Sequence, residues 1–334
     1  MKVLLATCCA LLAAPLYAQE APAASPVFRA TSELVLLDVQ VIHNKTKTAS
    51  AALHSGDFQV FEDGSPQQIA FFGRDQFPLS IVFLFDLTQS VRGVLHRLSA
   101  GAQTVLNHLK PEDEVAVIVY SASARVVDGL TNDRQRTVAA IAQAAAMKSN
   151  EAAFFNEAVY QAAAVLSQSH NPSSRRAIVW LTDNLPNAPS GFMARRYGRS
   201  LGDTPPHTEE EAIRLLHESG TVVTPMLLKD PLALPWAEME MAIEAPARKR
   251  YPAGDAHKYA EITGGLAMGM RGKNVEDRLA EVLDELRSRY TIGYHPSESK
   301  PPGTFCRLHV TLSPEAPLRP QEWTVLARAG YYRK

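Results

Sequence analysis

Two short polar stretches carry the residue types best suited to chemistry. Asp86-Leu87-Thr88-Gln89-Ser90 follows the apolar run Ile81–Phe85, and Thr182-Asp183-Asn184 follows the apolar run Ala177–Leu181. Carboxylates and hydroxyls are hard oxygen donors, the set that suits Mg²⁺ or Mn²⁺. The Asp-x-Thr-x-Ser spacing puts alternate side chains of one loop on the same side. Ligands of open parallel sheets bind beyond the carboxyl ends of the strands. If these two strand ends lie side by side, Asp86, Thr88, Ser90 and Asp183 offer two carboxylates and two hydroxyls to one point. Each stretch alone has a plainer reading. Asp86, Thr88 and Ser90 are good N-caps for a helix starting near Val91, and Asp183 is a good turn residue. Their pairing at two strand ends favours the site.

The elements that must position these residues are legible as patterns. Four short continuous apolar runs, Ile81–Phe85, Val115–Val119, Ala177–Leu181 and Val222–Leu228, indicate strands covered on both faces. Helical segments lie between them at 91–109, 132–147 and 156–168. A capping box, Thr208 with Glu211, precedes Ala212, Leu215 and Leu216 on one face. Val275, Leu279, Val282, Leu283 and Leu286 form another apolar stripe. Gly264-Gly265 ends a helix around His257–Thr263 and opens an edge strand. Such alternation predicts an α/β fold with a doubly wound, mostly parallel sheet over residues 77–289. Outside it the period changes to two. Val35, Leu37, Val39 and Val41 alternate with more polar neighbours. Phe58–Phe61 and Ile69–Phe72 flank a turn at Asp63-Gly64, and strands return at Tyr290–Tyr294, Arg307–Leu312 and Trp323–Tyr332. Six such strands are too few for two stable units. We therefore expect one small β-sandwich, built from residues 27–76 and 290–334 and interrupted by the α/β domain.

The Asp86 loop resembles the metal-ion-dependent adhesion site of von Willebrand factor type A domains, whose first loop reads Asp-x-Ser-x-Ser. Thr88 replaces the first serine and keeps its hydroxyl, and Leu181-Thr182-Asp183 matches a later family loop, with Asn184 where Gly is usual. The resemblance implies direct metal contact by Thr88 and Ser90, with Asp86 and Asp183 near the metal or linked through water, and one position open to a partner's acidic group. A third family loop supplies a threonine ahead of Asp-Ala. Here the stretch is Ala152-Ala153-Phe154-Phe155-Asn156-Glu157-Ala158, and Ala153 removes that oxygen donor, which water, Ser149 or Asn150 would have to replace. Leu53-x-x-x-Asp57-Phe58-x-Val60-x-Glu62-Asp63-Gly64, Leu286–Tyr294 and Ala329-Gly330-Tyr331-Tyr332 resemble the entry and closing segments of von Willebrand type A-related proteins abundant in acidobacteria.

Two long irregular stretches leave the same strand edge. One carries Arg195, Arg196, Tyr197 and Arg199, the other Trp236, Arg248, Lys249, Arg250 and Tyr251. Arg and aromatic residues are enriched in binding hot spots, so these loops are expected to rim the site as a basic, aromatic collar for an acidic protein ligand. The 334 residues hold 34 Lys and Arg against 35 Asp and Glu, a net charge of −1. With no basic excess, binding to nucleic acid by phosphate neutralisation is not expected. Residues 1–18 read as a signal peptide: Lys2, an apolar stretch from Val3 to Ala14, Pro15, and cleavage near Ala18. Residues 19–26 form a Pro/Ala-rich linker. Cleavage removes Cys8 and Cys9 and leaves Cys306, which cannot pair within the mature chain. Cys306 lies in an alternating strand with no His or Cys neighbour and is expected to be a packed or idle thiol rather than a nucleophile. No later segment is long enough to span a membrane.

No Gly-x-Ser-x-Gly elbow, phosphate-binding loop or His-Glu-x-x-His is present. The expectation is a secreted or periplasmic, non-enzymatic adhesion or assembly module that binds its ligand through Mg²⁺ or Mn²⁺. Its rivals are a metal-independent scaffold of the same fold, supported by Ala153, and a metal-dependent hydrolase, which lacks a positioned general base.

Overall fold

The alternation of fully buried strands with one-faced helices resolves into three sheets. The structure is a computed structural model, and it describes residues 34–50, 53–74, 77–149, 153–184, 207–228, 255–270, 274–297 and 299–334. The leader at 1–18, the linker at 19–26, residues 27–33 and the collar residues Arg195, Arg196, Tyr197, Arg199, Trp236, Arg248, Lys249, Arg250 and Tyr251 lie outside the described residues. Among the described residues no helix is long and apolar enough to cross a membrane.

The chain enters along β1 (Val35–His43). β2 (Phe58–Glu62), β3 (Ser65–Gln67) and β4 (Ile69–Arg74) follow. The α/β block then runs β5 (Leu79–Asp86), α1 (Gln89–Leu106), β6 (Glu114–Tyr120), β7 (Ala124–Thr131), α2 (Arg134–Ala146), α3 (Phe155–Ser167) and β8 (Arg175–Thr182). It continues with α4 (Glu209–Ser219), β9 (Val222–Leu227), α5 (Ala256–Thr263), β10 (Met268–Gly269) and α6 (Val275–Ser288). The chain closes with β11 (Tyr290–Tyr294), β12 (Phe305–Leu312), β13 (Trp323–Leu326) and β14 (Gly330–Tyr332).

The central sheet has the order β10-β9-β8-β5-β6-β7, parallel except for β7. Every residue of β5, β6 and β9 is buried, because helices cover both faces. Ile81, Phe83 and Phe85 face one apolar layer with α1, α2 and α6. Val82 and Leu84 face the other with α3, α4 and α5. The doubly wound reading is thereby met. β7 was not anticipated. It is a half-exposed edge strand that returns antiparallel along β6 with irregular register, so neither a continuous run nor clean alternation marks it.

The outer strands form two antiparallel sheets, β13-β1-β11-β4 and β14-β12-β2-β3, drawn from both chain ends. Leu37, Val39, Phe58, Val60, Ile292, Cys306, Leu308 and Val310 share the core between them. Two details differ from the sequence expectation. The turn at Asp63 (φ 48°) and Gly64 (φ 87°) pairs β2 with the short β3, and β4 crosses to the other sheet. The stretch 323–332 is two strands, one in each sheet. Leu308 N–H donates to Ala329 O, and Ala329 N–H to Ile262 O, at the break between them. Cys306 is buried, as expected of a packed thiol, and burial raises its pKa.

Candidate functional site

β5 lies between β8 and β6, and the chain leaves it toward β6 and later returns on its other side as β8. This is the switch point of the sheet, where two loops diverge and open a crevice at the carboxyl ends. Phe85 pairs with Leu181 in parallel register, so Asp86 and the Thr182-Asp183 end of β8 are neighbours.

The four sequence-identified residues are brought together. Ser90 Oγ donates to Asp183 Oδ2 at 2.5 Å, and Thr88 Oγ1 lies 3.1 Å from Ser90 Oγ. Asp86 is completely buried beneath them. Its Oδ1 accepts the Thr88 N–H at 2.8 Å and its Oδ2 accepts the Tyr120 hydroxyl at 2.9 Å, with Thr182 Oγ1 at 3.4 Å. The plain helix-cap reading does not hold for Thr88. It is the N-cap residue of α1, but its side chain makes no cap hydrogen bond. Its hydroxyl instead faces Ser90.

Burial, and next the charge of Asp183, push the Asp86 pKa up to about 7. Two carboxylates are thus held together where ionising both is unfavourable, and a cation is the natural complement. The donors, two hydroxyls and two carboxylates, have the hard-oxygen chemistry of Mg²⁺ or Mn²⁺. Ala153 is fully buried at the start of the third loop, whose next residue Phe154 donates its N–H to Ser121 O at 3.0 Å. The set therefore fits a small divalent cation with one protein oxygen fewer.

Several functional neighbours were not found from sequence. Trp180 Nε1 donates to Tyr120 Oη at 2.9 Å, so a buried chain runs from indole through phenol to Asp86. Trp180 lies within an apolar run and Tyr120 directly follows one, so both read only as core, and nothing in their spacing shows where their polar tips point. Burial, and next the charge of Asp86, raise the Tyr120 pKa well above its ordinary value, so the phenol stays a donor. Asn184 occupies the left-handed region (φ 57°), which suits Asn and explains how it replaces glycine. Its Oδ1 accepts the Ala256 N–H at 2.9 Å, and its Nδ2 donates to Asp255 Oδ1 at 3.2 Å. The loop carrying Asp183 is thus tied to the start of α5.

An α/β domain with an oxygen cluster of this spacing at its switch point defines a recognisable class. Residues 81–185 match the family profile of the von Willebrand factor type A domain, so the α/β block of this chain is related to that domain. Among solved structures it is similar to a von Willebrand factor type A protein from Catenulispora acidiphila (12% identity, 90% of this chain and 75% of that one, TM-score 0.42). It is also similar to the conserved hypothetical protein BatB from Bacteroides thetaiotaomicron (15% identity, 62% of this chain and 97% of that one, TM-score 0.42). A third similarity is to an aerotolerance-related membrane protein from Bacteroides fragilis (13% identity, 62% and 99%, TM-score 0.39). No curated protein matches the chain.

Proposed function

We propose that this protein is an exported, non-enzymatic binding module that engages an acidic protein ligand through a divalent cation at Asp86, Thr88, Ser90 and Asp183. The observation that carries the reading is the convergence of these four residues, with Ser90 Oγ 2.5 Å from Asp183 Oδ2 and 3.1 Å from Thr88 Oγ1, and the Thr88 N–H bonded to the buried Asp86. Mg²⁺ or Mn²⁺ held there would supply a Lewis-acidic position that accepts a carboxylate of the partner. The chain's own residues supply the frame. Thr88 and Ser90 present hydroxyls from one loop, Asp183 presents a carboxylate from the adjacent strand end, and Asp86 fixes the loop through the Thr88 N–H. A non-enzymatic role is supported by the complete burial of Asp86, which keeps its carboxylate out of reach of a substrate proton. Export rests on the leader at residues 1–18.

Calorimetric titration with Mn²⁺ tests the proposal. Asp183→Asn and Asp86→Ala are expected to weaken binding by about tenfold or more, since each removes a charge beside the cation. Equal binding by wild type and both variants would end it. A second reading, a metal-independent scaffold, is favoured by the oxygen donor missing at Ala153. It predicts the same melting temperature in Mn²⁺ and in EDTA, whereas a bound cation must raise it.

A further inference from the structure

The loop that carries Asp86 also forms one wall of a cleft that the oxygen cluster does not use. The cleft has a volume of about 370 Å³. Leu87 lines it, and the Leu87 N–H donates to Tyr120 O at 3.0 Å, so cleft and oxygen cluster share a loop. Its other walls are Ser121 and Ser123 after β6, Arg125 on β7, and Lys148 and Ser149 after α2.

The lining contains two cations and no carboxylate. Arg125 and Lys148 are both exposed, and among the described residues neither has an ion pair. Arg136, Arg175, Arg278, Arg287, Arg289, Lys258 and Lys300 each sit against an Asp or Glu. Two like charges left together on a nearly neutral chain form a local positive spot whose complement is an anion. Arg125 is held near the carboxyl end of the sheet, opposite Val119 of β6. Lys148 stands on the stretch that leads to Ala153, where the cation cluster lacks a donor.

We propose that this cleft is a second anion subsite, in which Arg125 and Lys148 take one carboxylate of an acidic peptide segment while a neighbouring carboxylate engages the Asp86–Asp183 cluster. The inference rests on the cation-dependent reading above and narrows its partner to a segment with at least two closely spaced Asp or Glu residues.

The test uses the full mature chain and two labelled Gly/Ser peptides, one carrying a single aspartate and one carrying two separated by one residue. Binding is followed by fluorescence anisotropy in Mn²⁺ and in EDTA, and Mn²⁺ binding separately by calorimetry. The double variant Arg125→Glu, Lys148→Glu changes two exposed side chains, so its melting temperature should match wild type. It is expected to weaken the two-aspartate peptide by about tenfold or more and to flatten its salt dependence. The single-aspartate peptide and Mn²⁺ itself should change by less than about twofold. Unchanged affinity for the two-aspartate peptide, with Mn²⁺-dependent binding intact, overturns the subsite and leaves the cation reading standing. Equal weakening of both peptides also overturns it, because the cations then act as a diffuse field. Wild-type binding that is indifferent to EDTA yet lost in the double variant supports the subsite and removes the cation reading. No binding of either peptide in Mn²⁺ removes both.

Discussion

Asp86 shows how a single side chain can anchor a loop. Its carboxylate is buried, raised in pKa, and held between the Thr88 N–H and the Tyr120 hydroxyl, which in turn accepts from Trp180. Tyr120→Phe removes the closer donor to Asp86 Oδ2 and the acceptor for Trp180 in one step, leaving the indole N–H unpaired and Asp86 Oδ2 with only the Thr182 hydroxyl at 3.4 Å. An unpaired buried group costs about 1–3 kcal/mol, so urea unfolding should show a loss of about that size. Stability equal to wild type would mean that Asp86 finds another donor. At this scale the sequence was readable where polarity interrupts an apolar run. Asp86, Thr88, Ser90 and Asp183 stand out because charge and hydroxyls follow five apolar residues. Tyr120 and Trp180 do not, because an aromatic in a buried strand looks the same whether or not its polar tip is used.

Elements were legible in proportion to how fully they are buried on defined faces. The runs at 81–85, 115–119, 177–181 and 222–228 became β5, β6, β8 and β9, since only strands covered on both sides are apolar at every position. The edge strand β7 and the division between β13 and β14 were not legible, because both depend on where a neighbour lies. The Gly264-Gly265 pair shows the same dependence from the other side. It ends α5 as expected, with Gly264 at φ 72°. Its deeper reason is contact, since a Cβ at Gly265 would meet Val223 O at 1.9 Å and one at Gly264 would meet the Ala327 backbone at 2.4 Å. Gly265→Ala must therefore push α5 off β9. We expect a loss of about 3 kcal/mol or more, in the range of overpacked cores. Gly129→Ala on the exposed edge of β7 meets nothing within 4 Å and should stay within about 0.5 kcal/mol of wild type. Thermal melts of the pair check the contrast, and matching melts would contradict it.

At the scale of the molecule, the outer sheets and the central sheet are joined by buried polar contacts as well as by apolar packing. Arg175, at the start of β8, donates to Asp38 of β1 at 2.7 Å and to Thr291 of β11 at 3.0 Å, and it also reaches the Leu286 carbonyl of α6. His217 of α4 lies in the same junction, packed edge-on against Phe305 of β12 with ring centroids 5.3 Å apart. It is only 4% exposed. Burial, and next the positive charge of Arg328, lower its pKa from 6.5 to about 4, against a hydrogen bond with the Gly330 backbone that acts the other way. The native junction thus accepts a neutral imidazole and resists a charged one. The unfolded chain takes up the proton below about pH 6.5, while the folded chain does not until about pH 4, so the unfolded state binds more protons in between. The contribution of His217 is whole above pH 6.5, falls as the pH drops through this window, and levels off below it. Over the full window the loss is about 3 kcal/mol, and between pH 7.5 and pH 5 it is about 2 kcal/mol. His217→Gln cannot take up the proton, so its stability should fall less over that interval by this amount, whatever offset the substitution adds at every pH. Urea unfolding of both proteins at pH 7.5 and pH 5 measures the difference. Parallel loss in the two would show that the junction admits a charged histidine after all, and that acid weakens the molecule elsewhere.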